Sequence, residues 1–350
     1  MRTAGFYLIA LLLSVQGWAA EPPLGTGFTL SSPTTGSHTN HEGRALPKLP
    51  EIKTPVMFNT PEADAICSAL QIFPKNNAWN EDISKLPMLP DSEKIIASIG
   101  KDKTLGINMD MGFILVPPTQ NKVLVNIKSY PKESDKGPFP IPDNAPVENW
   151  PLEGGTLDNA QRKGEGDRHV IVVDPVNGKL HELYQGRETD AGWECACEAT
   201  FDLLSNTLRP KGWTSSDAAG LPIFPAIVRF DEVERGKVEH ALRFTVKRSR
   251  KMYIYPATHQ AGRSAEPALP AMGQRVRLKS SVDISKFPKH AQAVAYAMQK
   301  YGMIVADNGG DWRISVAPDS RIKGLNALSS LKGSDFEVVQ TTGELEGPRK

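Results

Sequence analysis

The sequence predicts a mainly β domain, an antiparallel β-sandwich or jelly-roll-like body with two or three peripheral helices, and leaves an α+β fold as the alternative. Short apolar runs recur along the chain, each bounded by turn residues. Glycine and proline number 29 and 28 among 350 residues, a composition that favours turns and short strands over long helices. Helical periodicity is confined to a few stretches, and the longest, ending at Tyr301, keeps the α+β alternative open.

The amino terminus reads as an export signal. Arg2 supplies the positive charge, residues 6–13 form an apolar core too short to span a bilayer, and Gly17 and Ala19 place small residues before a cleavage point. No cysteine follows that core, which argues against a lipid anchor. A signal peptide over 1–19 implies a secreted or periplasmic protein without a membrane anchor. Residues 20–56, rich in Pro, Gly, Ser and Thr, read as a linker or arm with His38 and His41 in solvent. A single β-rich domain over 57–340 and a polar tail over 341–350 complete the chain.

Within the domain, Pro90-Asp91-Ser92-Glu93 opens a helix whose apolar face is Ile95, Ile96 and Ile99 and whose stop is Gly100. Strands are expected at 112–116 and 122–127, then a long irregular stretch over 132–166 of the kind that borders binding sites. Segments 168–174 and 180–185 flank Asn177-Gly178, a strong hairpin signal, and Val170 to Val173 are apolar on both faces. Strand 238–246 alternates, with His240 on the apolar face and Arg243 beside Glu239 on the other. Strand 274–279 sets Arg275, Arg277 and Lys279 in a cationic stripe, while 247–251 reads as a solvated basic tip. A helix over 286–301, capped by Ser285 and stopped by Gly302, precedes a hairpin turning at Asp307-Asn308-Gly309-Gly310. A short helix over 325–331 and a strand over 336–339 end the domain.

Five blocks resemble those of a family of uncharacterised secreted bacterial proteins. They are Asn77-Ala78-Trp79-Asn80-Glu81-Asp82-Ile83-Ser84, Gly166-Asp167-Arg168-His169, residues 212–223 beginning Gly212-Trp213-Thr214-Ser215, His240-Ala241-Leu242-Arg243-Phe244-Thr245, and Ala306-Asp307-Asn308-Gly309. The resemblance spans most of 73–339. It implies a single secreted domain and carries no catalytic role with it.

A formal net charge of +1 gives no global field for nucleic acid or a membrane surface. Of the three cysteines, Cys195 and Cys197 are too close to bond each other, so a disulfide from Cys67 to one of them is the plausible pairing. The serine-elbow, zincin, phosphate-loop and dinucleotide motifs are absent, and no cofactor or metal is implied.

The chemistry-bearing residues gather between 167 and 246, and this is where a site is expected. Asp167 and His169 share a strand face and could relay a proton, or could simply tie a strand end to a loop. Trp213 and Asp217 suit sugar recognition, ring against pyranose and carboxyl as acid, or else a wedge onto the core. Catalysis is therefore assigned to Asp167, His169 and Asp217, and substrate binding to Trp213, Arg243, His240, Arg277 and Asp307. For His240 the reading as a satisfied core histidine is preferred over a ligand, and for Asp307 the reading as a plain turn residue is preferred. The expected function is a secreted carbohydrate-active protein, a glycoside hydrolase or polysaccharide lyase with a glycan as partner. Hydrolysis would pair Asp167 with Asp217; lyase chemistry would use His169 as base with Arg243 or Arg277 neutralising a uronate. The rival is a non-catalytic glycan-binding or envelope-structural protein.

Overall fold

A computed structural model describes residues 39–341; the expected signal peptide, His38 and nearly all of the polar tail lie outside them. The chain first forms β1 (Val56–Met57), α1 (Pro61–Ser68), α2 (Ser92–Ile99), β2 (Gly106–Asn108), β3 (Ile114–Leu115), β4 (Val125–Ile127) and α3 (Leu157–Arg162). There follow β5 (Val170–Asp174), β6 (Lys179–Tyr184), β7 (Arg187–Thr189), β8 (Gly192–Cys195), β9 (Cys197–Asp202) and α4 (Phe230–Arg235). The last part holds β10 (Leu242–Val246), β11 (Arg275–Leu278), α5 (Lys289–Lys300), β12 (Met303–Asn308), β13 (Arg313–Ser315) and β14 (Phe336–Val338).

These strands build a five-stranded sheet ordered β1-β3-β5-β6-β9, a six-stranded sheet ordered β14-β11-β12-β10-β13-β2, and a three-stranded sheet ordered β4-β8-β7. The mixture of strands and helices fits a mainly β or α+β fold. All three sheets are mixed, which corrects the antiparallel expectation: β3 and β5, β10 and β12, β13 and β2, and β4 and β8 run parallel. Parallel neighbours need long crossovers, and here β11 and α5 lie between β10 and β12. Side-chain alternation reports which face a residue occupies; it says nothing about which strand lies alongside.

The strongest local signals fold as their residues dictate. β5 and β6 pair antiparallel with Val172 opposite His181, and Gly178 takes the left-handed φ of +61° that the tight turn requires. Helix α2 buries Ile95, Ile96 and Ile99 and ends at Gly100. Helix α5 starts later than expected, after Pro288; Ser285 belongs to a preceding 3-10 turn. The expected hairpin at 307–310 does not form. Strand β12 runs on through Asn308, and β10 inserts between β12 and β13.

Two apolar cores result, a large one containing α5 and the six-stranded sheet, and a smaller one around Val170, Val172, Leu183 and Trp193. From Thr39 onward the expected arm lies on the body rather than in solvent. Asn40 donates to Glu239 at 2.8 Å, Arg44 pairs with Glu239 at 2.9 Å, and Ile52 and Val56 are buried. His41, expected in solvent, stacks edge-on against Tyr301 and reaches its hydroxyl at 3.2 Å. All three cysteines are buried and free, so the disulfide expectation is also corrected. Their separation by fold is the reason: Cys67 sits on α1 in the large core, and Cys195 in the smaller one.

Candidate functional site

At the centre of the candidate site is a buried ion pair. Arg243 on β10 grips Asp217 with two donors, Nε to Oδ2 at 2.8 Å and Nη2 to Oδ1, and its Nη1 bonds Ser315 Oγ on β13. Arg243 is 3% exposed and Asp217 0%. Burial of such charges is tolerable only when the geometry is two-pronged and every guanidinium nitrogen finds an acceptor, as here. The loop holding Asp217 is pinned by its own polar atoms: Ser215 Oγ donates to the Leu221 carbonyl at 2.6 Å and accepts from Asp217 N–H at 3.1 Å. Glu239, which the alternation places on the face of Arg243, pairs with Arg44 and Arg235 instead.

Asp307 reaches this cluster through an irregularity in pairing. Strands β10 and β12 are in register as far as Phe244 opposite Val305, then Thr245 lies opposite Asp307, so Ala306 is an extra residue. Paired residues share a face, and the bulge therefore puts Asp307, not Ala306, on the face carrying Arg243. Its carboxyl accepts the Asn308 N–H at 2.6 Å and the Ala218 N–H at 3.3 Å. Burial, then the Asp217 charge, push it up to about 7 against the pull of Arg243.

Asp110, two residues beyond β2, comes from the other side. Its carboxyl is pushed up to about 6 by burial and the neighbouring Glu148, opposed by Arg243 and His169. Its Oδ1 is buried without a hydrogen-bond partner. His169, immediately before β5, faces both acids electrostatically. Its Nδ1 is likewise buried and unpartnered, its ring lies 5.7 Å from that of Tyr184, and its backbone N–H reaches Glu148 at 3.3 Å. Below the pair, Glu182 on β6 is 0% exposed and caps the turn at 223–224 by accepting both backbone N–H groups. Burial, and beyond it the Asp217 charge, raise that carboxyl to about 8 despite these donors.

Five of the eight residues singled out in the sequence thus gather here. His169, Asp217, Arg243 and Asp307 form one electrostatic cluster, and exposed Asp167 joins it through the Tyr184 hydroxyl at 3.5 Å. The other three lie elsewhere. Trp213 is half-buried under the Arg209 guanidinium, 5.5 Å from its ring, and its carbonyl holds Thr258. His240 is a core histidine bonded to Glu232 at 3.1 Å and to the Ala241 carbonyl at 2.8 Å. Arg277 is committed to Glu337 and to the carbonyls of Ile83 and Leu86. The cationic stripe is accordingly no open surface: Arg275 holds the Tyr301 carbonyl and Glu81, and Lys279 the Ser334 carbonyl.

Asp110, Glu148, Tyr184 and Glu182 complete the cluster and escaped the sequence reading. Two of them leave a trace there, since Asp110 in Met109-Asp110-Met111 and Glu182 in the strand 179–184 are carboxylates in apolar company. A hollow of about 440 Å³ opens beside the cluster, lined by Glu148, Trp150, Glu153, Lys163, Glu165, Asp167 and neighbours. Among the described residues, no group of three or more His, Cys, Asp or Glu side chains is arranged to hold a metal ion, and no helix is long and apolar enough to cross a membrane. No family model, curated protein or solved structure matches this chain.

Proposed function

We propose that this protein is an exported enzyme that cleaves glycosidic bonds by hydrolysis, with Asp307 as general acid and Asp110 as general base. One observation carries the reading: two carboxyls that both face Arg243 and His169 are raised by burial well above the ordinary carboxylate range, to about 7 and about 6, which keeps a protonated acid accessible near neutral pH. Paired acids whose environments separate their pKa values are what glycoside hydrolysis requires. His169, whose Nδ1 is buried without a partner, acts electrostatically on both acids. Asp217 is a positioning residue, since it is sealed against Arg243 and has no face left for substrate. The initial pairing of Asp167 with Asp217 therefore gives way to Asp110 with Asp307.

Lyase chemistry finds less support. It needs a cation free to neutralise a uronate, and both arginines considered for that task are spent on internal partners. Export through the expected signal peptide suits an extracellular or envelope glycan as substrate.

The test is an assay of the purified protein on a panel of envelope and extracellular polysaccharides, following new reducing ends and ultraviolet absorbance together. Reducing ends without absorbance, lost in Asp307→Asn and Asp110→Asn, are the expected result. An unsaturated product identifies a lyase. Tight binding with no cleavage identifies a glycan-binding protein, and either outcome overturns the proposal.

A further inference from the structure

The segment 39–56 closes over a small cavity of about 40 Å³, to which it contributes Asn40, His41 and Arg44. Two sets of contacts hold the segment down on either side of His41. Asn40 and Arg44 take Glu239, and Glu42 takes Tyr301, Lys300 and Tyr296. His41 joins the two. The Tyr301 hydroxyl donates to Glu42, so it can only accept from the His41 ring, whose Nε2 lies 3.2 Å away. The imidazole hydrogen therefore sits on Nε2. The ring also packs edge-on against Tyr301, with centroids 5.6 Å apart.

The other ring nitrogen, Nδ1, is buried with no hydrogen-bond partner. A neutral ring leaves only a bare acceptor there, whereas a second proton would create a buried charge whose new N–H meets no acceptor at bonding distance. The neighbouring His240 differs, with Glu232 at 3.1 Å on one nitrogen and the Ala241 carbonyl at 2.8 Å on the other. Nor do the surrounding elements hold spare negative charge for an imidazolium. On α4 and its cap, Arg229 faces Asp231 and Glu232, and Arg235 faces Asp231. Glu239 meets Arg44 and Arg235, and Glu42 meets Lys300 of α5. From α1, the Cys67 thiol is pushed up by burial and carries no charge. Burial lowers the His41 pKa from its usual 6.5 and outweighs Glu42, the Gln71 amide and Glu239, with His240 adding to its effect.

We infer that residues 39–56 form an acid-released latch, shut on the body by a neutral His41 and lifted when that ring takes a second proton. The sign follows from linkage. On the lifted segment the ring regains its ordinary affinity for a proton, and on the docked one it binds the proton less tightly. Docking is therefore fully favoured above about 6.5 and weakens as pH falls below it. Lifting the segment strips Glu239 of Asn40 and Arg44 and opens the cavity, with the charged groups of α4 on its wall, to solvent. The latch stands whether or not the protein cleaves glycans.

The experiment is amide hydrogen exchange of the full chain at pH 7.5 and at pH 5.5, read by mass spectrometry on peptides covering 39–56 and referred at each pH to the unfolded chain. Protection of 39–56 should fall about five- to tenfold at the lower pH, as release coupled to one proton predicts, while α5 and β12 keep theirs. His41→Phe retains an aromatic edge for Tyr301, and His41→Gln retains a donor for its hydroxyl; neither can be charged. At least one of them should hold 39–56 equally protected at both pH values. Three results overturn the latch: a parent whose protection does not change with pH, a decline as steep in the neutral variants as in the parent, or a segment left open at both pH values by both variants. The last would make the ring, and not its charge, what holds the segment down.

Discussion

The roles proposed for Asp307 and Asp110 rest on what surrounds them, and they are separable by pH. A base must be ionised and an acid protonated, so kcat/KM should rise through about 6 and fall through about 7. Asp307→Asn should lose about 10² to 10⁴ in rate and flatten the alkaline limb, and Asp110→Asn should flatten the acid limb. A profile unchanged in shape by either variant removes both assignments. Arg243 poses a different question at the same scale. Replacing it by Met leaves the Asp217 carboxylate buried with no countercharge, at a cost of about 3–5 kcal/mol in urea unfolding. Glu182 gives a signature in the stability curve. Its folded pKa is raised from 4.5 to about 8, so the fold holds its proton more tightly than the unfolded chain does. That contribution is complete below about 4.5 and gone above about 8, and stability should decline as pH rises through the window. Glu182→Gln should remove this part of the slope, and a slope equal to the parent's would refute the assignment.

Elements place these residues, and two irregularities matter more than the regular parts. The bulge at Ala306 turns Asp307 towards Arg243; an unbroken β10–β12 register would present an alanine there. Gly302, between α5 and β12, has a φ of +72°, and a Cβ on it would lie 2.3 Å from the Val276 carbonyl oxygen. The close approach lets β12 enter the sheet directly after the helix. Gly302→Ala should cost about 1–3 kcal/mol and shift the strand carrying Asp307 with it, so that stability and the proposed activity fall together. An active, fully stable Gly302→Ala would mean that the junction is softer than its geometry indicates.

Across the whole molecule, the segment after Thr39 acts as a strap on the body. Glu239, 8% exposed, receives Asn40 and Arg44, while Glu42 gathers Tyr301, Lys300 and Tyr296. Glu239→Ala should lower stability by about 1–3 kcal/mol, which for a domain of this size is a fall of several degrees in the melting midpoint. Limited proteolysis should then cut within 39–56 before the body is attacked; equal cutting rates in parent and variant would show that Ile52 and Val56 hold the strap alone.

The sequence alone determined the local pieces: the Asn177-Gly178 hairpin, helix α2 with its isoleucine face, and the span of α5 to within a few residues. These follow from neighbours along the chain, where turn chemistry and periodicity act over a few residues. Tertiary structure decided the rest. Arg243, Asp217 and Asp307 are distant in sequence, and a bulge, a crossover and an inserted strand bring them together, none of which leaves a periodic mark. The same distance explains the errors. An arginine stripe looks like a binding surface in one dimension, and only packing shows that its partners are carboxylates and carbonyls belonging to the chain itself. Asp110 was missed for the converse reason, since burial raises its pKa, and burial is a property of everything that folds around it.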